Sequence, residues 1–421
     1  FEQFFTGANF LSYSNALNLV RAANTTVGNA AAPHNSASNT AAYTSMQVRD
    51  SEHYFTTFDP EQGGAIGGGV SNFANNGPFL AKWAGELGNS LKVSICPGDR
   101  AASDGNLTGT GAWTAGTSVF AGTSTLFLDE LRVGDLIKIA GETGNHLVTS
   151  ITNATTAAVV ALDSSDSSDV SATTFTRLKR SVFSTPSSHL KGTVAVTADS
   201  TTVTGTGTLF DIQMQVGDTI TVNGESKRVS TITSNTVIVT SEKFLAAASS
   251  QAYSREWEYR GAFNEGPPTT SSFADNRDMA NDEIHVALVD EDGEWTGTKG
   301  EVLEAHANLS VASGAKDDQG EDVFYKNYIN KFSSYIWWLD HPTINSVDHA
   351  GNGTLVTSGT ATFRAWGATA NSSGTQTTDE FFNGSKQLTL SFQGGDDGTA
   401  DGADGDKCIV IGTAFAEGSG A

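Results

Sequence analysis

The residues of this 421-residue chain that could do chemistry are its acids, its few histidines and its two cysteines. Asp396, Asp397, Asp401, Asp404 and Asp406 stand among glycines, and a hard cation such as calcium takes several carboxylate and carbonyl oxygens. Their spacing fits neither an EF-hand loop nor a nonapeptide calcium repeat, so a solvated loop over 393–406 is the expectation. His285, His306, His341 and His349 are scattered, with no His-Glu-x-x-His or comparable pair, and read as packed or surface histidines rather than metal ligands. Ser/His/Asp combinations can be composed anywhere in a chain this rich in Ser and Asp, and no Gly-x-Ser-x-Gly elbow supports one. Gly67-Gly68-Gly69 lacks the Gly-Lys-Ser/Thr ending of a phosphate loop. Cys96 and Cys408 are too few for a stapled fold or a multi-cysteine zinc site, and are expected to be unpaired buried thiols. Trp337-Trp338, between Ile336 and Leu339, belongs to an expected buried strand. Neighbouring strand residues face opposite sides, so one ring meets a second layer or a neighbouring subunit. We assign no catalytic, no cofactor-binding and no metal-ligating residue, and expect neither a cofactor nor enzymatic activity.

The elements around these residues follow from composition and pattern. Length gives roughly two to three domains. The net charge of −23 argues against a general nucleic-acid binder, which must displace counterions from phosphates with basic groups. It argues equally against adhesion to anionic membrane. No run reaches the roughly 20 apolar residues of a membrane span, and no signal peptide is visible. With 45 Gly, 8 Pro and abundant Ser, Thr and Asn, the composition is turn-rich and β-leaning. The chain opens on Phe within a patterned segment and stops just after an apolar run, which is expected of a piece of a longer chain.

Residues 1–105 read as mixed α/β. Ser12 or Ser14 caps a short helix leading to a strand over 17–22, and 23–44 and 63–77 read as loops. Residues 79–84 (Phe-Leu-Ala-Lys-Trp-Ala) read as a helical turn or two, broken by Gly85 and Gly88. Residues 91–96 alternate as a strand ended by Pro97-Gly98-Asp99. From 106 helix signals vanish and an internal repeat takes over. Gly122-Thr123-Ser124-Thr125-Leu126-Phe127 followed by Val133-Gly134-Asp135 recurs as Gly205-Thr206-Gly207-Thr208-Leu209-Phe210 followed by Val216-Gly217-Asp218. The reading is a small antiparallel barrel built twice, over 106–180 and 181–255. Val-Gly-Asp turns each chain, Asn223-Gly224 makes a hairpin, and 237–239 forms a short buried strand. Residues 163–169 read as a solvated linker or loop. From 256 to 421 the mixed character returns. There is a hairpin over 284–296 turning at 290–293, and a helical stripe of Tyr325, Tyr328, Ile329 and Phe332. A strand is expected over 335–339, with strand pairs over 354–366 and 380–392. The expected fold class is therefore α+β or mixed multidomain: an α/β core domain formed from both chain ends, with two inserted antiparallel β-barrel modules.

Several of these segments resemble the sheath proteins of contractile bacteriophage tails. The N-terminal match is Asn9-Phe10-Leu11-Ser12-Tyr13-Ser14-Asn15-Ala16-Leu17 leading to Val20-Arg21. The sharpest is residues 81–95, Ala-Lys-Trp-Ala-Gly-Glu-Leu-Gly-Asn-Ser-Leu-Lys-Val-Ser-Ile, with Ala84 where the family usually has Pro. A third runs from Glu283 through the turn at 290–293 to Gly300-Glu301-Val302, Tyr325-Lys326 and Ser334-Tyr335-Ile336. A fourth is Phe392-Gln393-Gly394-Gly395-Asp396-Asp397-Gly398. Together they cover about half of the chain, in its two flanking portions.

The resemblance implies a sheath core carrying outward-facing inserted barrels. It implies a helical assembly of identical subunits around a tail tube, metastable and triggered at the baseplate, whose contraction drives the tube through the host envelope for genome ejection. The implied partners are identical sheath subunits, the tail tube protein, and the baseplate and tail terminator proteins, with no nucleic acid and no membrane insertion. The implied location is the virion, after assembly in the host cytoplasm. Terminal arms of the family are not found in this sequence. The alternative is a baseplate, fibre or surface binding protein whose tandem β modules recognise glycan or a host receptor through an aromatic-lined groove. A hydrolase with β accessory modules would need a convergent carboxylate cluster or a nucleophile with its base, and no motif supplies one.

Overall fold

A computed structural model describes residues 28–32, 46–57, 77–99, 102–103, 105–162, 168–277, 279–339, 363–364, 366, 381–382 and 387–397. The expected helix and strand over 12–22, most of the loop over 23–44, the Gly67-Gly68-Gly69 run and most of the strand pair over 354–366 lie outside the described residues.

The first strands are β1 (Asn29–Ala32), β2 (Phe79–Ala84) and β3 (Leu91–Pro97). The segment 79–84 is thus a strand and not the expected helical turn. It lies between two apolar clusters, with Phe79 and Ala81 in one and Leu80 in the other, and is buried on both faces over its first half. A strand covered on both sides loses the alternation that marks a half-exposed one. The turn through Gly85, Gly88 and Asn89, expected to join helix to strand, instead joins β2 to β3 through a 3-10 helix, Glu86–Ser90. Gly88 is needed there, since a Cβ would stand 2.9 Å from Ala30 Cβ.

The repeat forms two rings. In the first, β4 (Thr110–Trp113), β5 (Val119–Thr123), β6 (Leu136–Ile139), β7 (His146–Asn153), β8 (Thr156–Ala161), β9 (Val170–Thr173) and β10 (Phe175–Arg177) pair in the order β10-β6-β7-β8-β5-β4-β9, all antiparallel. The two edges, β9 and β10, are halves of one chain segment bent at Thr174, so the ladder returns to its start. The bend is tied across by Ala140 N donating to Thr174 O at 2.9 Å. Closure leaves no free edge. After the short β11 (Ser184–Thr185), the second ring repeats the topology. It comprises β12 (Thr193–Val196), β13 (Thr202–Thr206), β14 (Thr219–Val222), β15 (Glu225–Ser234), β16 (Val237–Thr240), β17 (Ala248–Gln251) and β18 (Tyr253–Glu256), bent at Ala252.

The repeat holds atom by atom. Thr125 and Thr208 hydroxyls donate to Ala154 O and Asn235 O, each at 2.7 Å. Gly134 and Gly217 N–H groups donate to Val148 O and Val229 O, each at 2.8 Å. Both glycines take positive φ (89° and 99°), which a Cβ resists. Asp135 and Asp218 accept from the N–H three residues back at 2.8 and 2.7 Å. Each ring also holds one short helix, Phe127–Glu130 and Phe210–Gln213, in a region where no helix was expected. The Val237–Thr240 strand is buried on one face only, at Ile238 and Thr240, because its other face meets solvent outside the ring.

The chain then completes the core with β19 (Glu283–Asp290), β20 (Glu301–Ser310), the helix Tyr325–Phe332 and β21 (Ile336–Trp338). The parallel pair β22 (Phe363–Arg364) and β23 (Phe381–Phe382) and then β24 (Leu388–Ser391) follow. The hairpin expected over 284–296 forms, but its return strand begins at Glu301. Residues 291–300 are the turn, organised by the Asp290 carboxylate, which accepts from Ser90 Oγ at 2.6 Å and from the N–H groups of Gly293, Trp295 and Thr296. Burial alone would raise the Asp290 pKa. The bonds from Ser90, Thr296 and Trp295 outweigh it and hold the carboxyl below its ordinary value.

The core sheet runs β20-β19-β3-β24, entirely antiparallel. β3 and β19 pair residue for residue from Leu91↔Asp290 to Pro97↔Ile284. Both rings are therefore spliced between two neighbouring strands of one sheet. One face of that sheet packs on Tyr325, Ile329, Ile336 and Trp338. Of the expected helical stripe, Tyr325 and Ile329 are buried, while Phe332 is 49 % exposed on the last helical turn, against Tyr328. The two tryptophans divide as expected. Trp338 enters the sheet core, and Trp337 stacks on Tyr54 in a second layer, ring centroids 4.5 Å apart. The chain is a mixed, β-rich fold of mostly antiparallel sheets with few helices.

Candidate functional site

Of the singled-out histidines, His285 is buried, and its Nδ1 accepts from Asn308 N–H at 3.0 Å. That leaves Nε2–H to donate to Gly266 O at 2.9 Å, a neutral ring fixed by its two partners. It lies flat on Phe263, centroids 4.6 Å apart. His306 Nε2 meets Glu304 Oε2 at 3.1 Å. His341 and His349 lie outside the described residues. Cys96 is a buried free thiol, and Cys408 lies outside the described residues. Asp396 continues the ladder by backbone bonds to Gly28, and Asp397 accepts from Glu86 N–H at 3.1 Å, while Asp401, Asp404 and Asp406 lie outside the described residues. Asn89 pins this loop through Gly395, donating to its O at 3.0 Å and accepting from its N at 2.8 Å. Among the described residues, no group of three or more His, Cys, Asp or Glu side chains could hold a metal ion, and no helix is long and apolar enough to cross a membrane.

Two features stand out beyond these. The first is the junction where the rings meet the core. Phe183, Trp257, Tyr259 and Phe263, from the chain just before and after the second ring, cover the second face of the core sheet over Cys96, Ala287 and Val289. Trp257 Nε1 donates to Ser94 Oγ at 3.0 Å. Beside them Arg255 Nε meets Asp218 Oδ2 at 2.6 Å, and Gln387 bonds both, donating to Asp218 Oδ1 at 3.2 Å and accepting from Arg255. Glu258 pairs with Arg228 of β15 and, at 3.7 Å, with Lys92 of β3. Burial pushes the Lys92 ammonium pKa down, against the pull of Glu291. Sequence reading missed this network, because Arg255 and Gln387 are 132 positions apart and no motif joins them.

The second feature is an apolar surface on the core. Trp83 is 61 % and Leu87 40 % exposed, next to half-buried Trp295 and Tyr335. Trp295 Nε1 donates to Leu87 O at 3.1 Å and Trp83 Nε1 to Ser334 O at 3.2 Å, so the rings are held in place. Among the described residues the adjoining β20 is an edge strand ten residues long. Exposed rings beside an edge strand suit contact with another chain.

Together these define a β-rich protein whose antiparallel core sheet carries two closed rings. Comparison of the chain with family models, with curated proteins and with solved structures finds no match.

The neutral state of His285 has a measurable consequence. Burial lowers its pKa from the ordinary 6.5, while Gly266 and the charge of Glu265 act the other way. The unfolded chain takes up the proton first, so this histidine's contribution is fully present above pH 6.5 and is lost as pH falls through that value toward the folded pKa. Urea midpoints followed downward from neutral pH should fall more steeply for the wild type than for His285→Gln. Parallel curves would show that His285 is not held neutral.

Proposed function

We propose that this chain is the structural subunit of a contractile tail sheath, packing on copies of itself in a helical array around a tail tube. The reading rests on the resemblance over 81–95 and 283–336, and one observation carries it furthest. These two segments, far apart in sequence, meet in two neighbouring sheets, β3 beside β19 and β2 beside β21, with β20 an edge strand among the described residues and Trp83 exposed. They make one folded unit whose surface suits repeated contact, and the rings are decoration spliced into one of its connections. A heterologous contact repeated by rotation and translation builds a tube instead of closing. The contraction, the tube, baseplate and terminator partners and the virion location all belong to this proposal.

The alternative of glycan recognition by the tandem rings is supported less well. Every aromatic residue between 106 and 256 is buried, so the rings offer no exposed aromatic platform. Electron microscopy of the purified full-length protein tests the proposal. Long tubes with regular transverse striations are expected, and Trp83→Glu should abolish or shorten them while leaving the subunit folded. Uniform monomers or small closed oligomers of the wild type would overturn it.

A further inference from the structure

The three chain crossings between core and rings meet at one place. The first follows β3, the second links the rings, and the third returns to β19. They surround a cleft of about 720 Å3 whose lining includes Asp99, Lys179, Phe183, Arg260, Phe263 and Glu265. That is within the range of about 300–1,000 Å3 typical of small-molecule sites. Its aromatic wall is fixed: Phe263 lies flat on His285, and Phe183 meets the same imidazole edge-on at 5.6 Å.

Asp99 gives the cleft its chemistry. Its backbone N–H donates to Pro268 O at 2.7 Å, so the main chain already ties the crossings together. The residue is only 4 % exposed, and its Oδ1 is shut off from solvent and makes no hydrogen bond. A buried acceptor without a donor is unfavourable. Its other oxygen, Oδ2, lies 3.6 Å from Lys179 Nζ, at the end of a side chain 61 % exposed. Burial raises the Asp99 pKa, against Ser181 and Lys179. The carboxylate thus already receives an ammonium group, on a loosely held arm from the solvent side, with Ser181 also holding it.

We infer that this cleft binds a small ligand through a protonated primary amine, which takes the place of the Lys179 ammonium at Asp99 Oδ2. The ligand's alkyl stem lies along the wall formed by Phe183 and Phe263. Arg260, half-exposed, with its guanidinium 5.6 Å from the Phe183 ring, stands at the same wall and receives any acidic group the ligand carries. The site is independent of whether the chain assembles.

The test is calorimetric or NMR titration of the full chain with n-butylammonium chloride and Nα-acetyl-lysine methylamide, with n-butanol as the neutral counterpart. Saturable binding of the two amines in the millimolar range, without binding of the alcohol, is expected. Asp99→Asn should weaken it roughly tenfold. Lys179→Ala removes the internal competitor and should tighten it several-fold, an effect a merely structural carboxylate would not produce. Absence of saturable amine binding to both wild type and Lys179→Ala would overturn the inference, as would amine binding unchanged in folded Asp99→Asn. Should Asp99→Asn not fold, the direction of the Lys179→Ala change decides.

Discussion

Replacing Arg255 with alanine is expected to cost about 3–5 kcal/mol and to loosen the second ring from the core. The guanidinium is 5 % exposed and the Asp218 side chain it meets is fully buried. Removing the cation leaves a carboxylate in a site that no longer compensates its charge. Gln387, which now bonds both partners just ahead of β24, loses the group that holds its amide oxygen. The first ring supplies an internal control. Its equivalent aspartate, Asp135, meets Arg180 at 3.7 Å, and that side chain is 21 % exposed. Asp135 is as fully buried as Asp218, but its longer contact with a partly exposed arginine should make Arg180→Ala the less costly, at about 1–3 kcal/mol. Because the chain holds several cores, the readout is the unfolding transition of the second ring, followed by hydrogen exchange over 193–256, rather than one global midpoint. Replacing Asp218 and Arg255 together by leucine and methionine should recover most of the loss, since the penalty arises from a charge left alone. Equal effects of Arg255→Ala and Arg180→Ala would contradict this account.

Much of the fold could be read from the residues, and the failures have physical causes. The repeat was legible because a ring buried on one face needs the same few residues at the same turns. A Cβ on Gly122 or Gly205 would lie 2.1 or 2.0 Å from the threonine hydroxyl three residues on. That hydroxyl bonds the carbonyl that opens the next hairpin, so Gly-Thr-x-Thr survives in both copies. Trp337-Trp338 was legible because two large rings side by side on a strand must enter different layers. The strand over 79–84 was not, because burial on both faces erased its period and Leu, Ala and Lys are good helix formers. The return strand Glu301–Ser310 was placed too early for a related reason. Glu301, Glu304 and His306 carry no clean alternation, and the Asp290 carboxylate organises a turn longer than its sequence suggests. Closure of each ring by a bend at Thr174 or Ala252, and the cleft around Asp99, depend on residues brought together from distant positions. No local pattern announces them.

The two rings should respond to the same substitution separately, and not equally. Phe127→Ala and Phe210→Ala each remove a fully buried ring from the centre of a barrel, a loss of about 3–5 kcal/mol. The backbone setting is the same in both. Each phenylalanine N–H donates at 3.1 Å to the turn carbonyl of a later hairpin in its ring, Ala154 between β7 and β8 or Asn235 between β15 and β16. The surroundings differ. Phe127 packs against Phe120 and Phe175, with centroids 5.3 and 5.6 Å away. In the second ring Val203 stands where the first has Phe120, and the aromatic neighbour of Phe210 is Tyr253, at 5.7 Å. Aromatic pairs contribute about 0.5–1.5 kcal/mol beyond area burial, so Phe127→Ala should be the costlier by roughly one such pair. The two apolar clusters share no residue, so the double variant should show the sum of the two losses. Hydrogen exchange resolves the rings individually: protection should fall over 110–177 in one variant and over 193–256 in the other. If either substitution loosens both rings together, the rings are one cooperative unit and their separate cores do not set their stability.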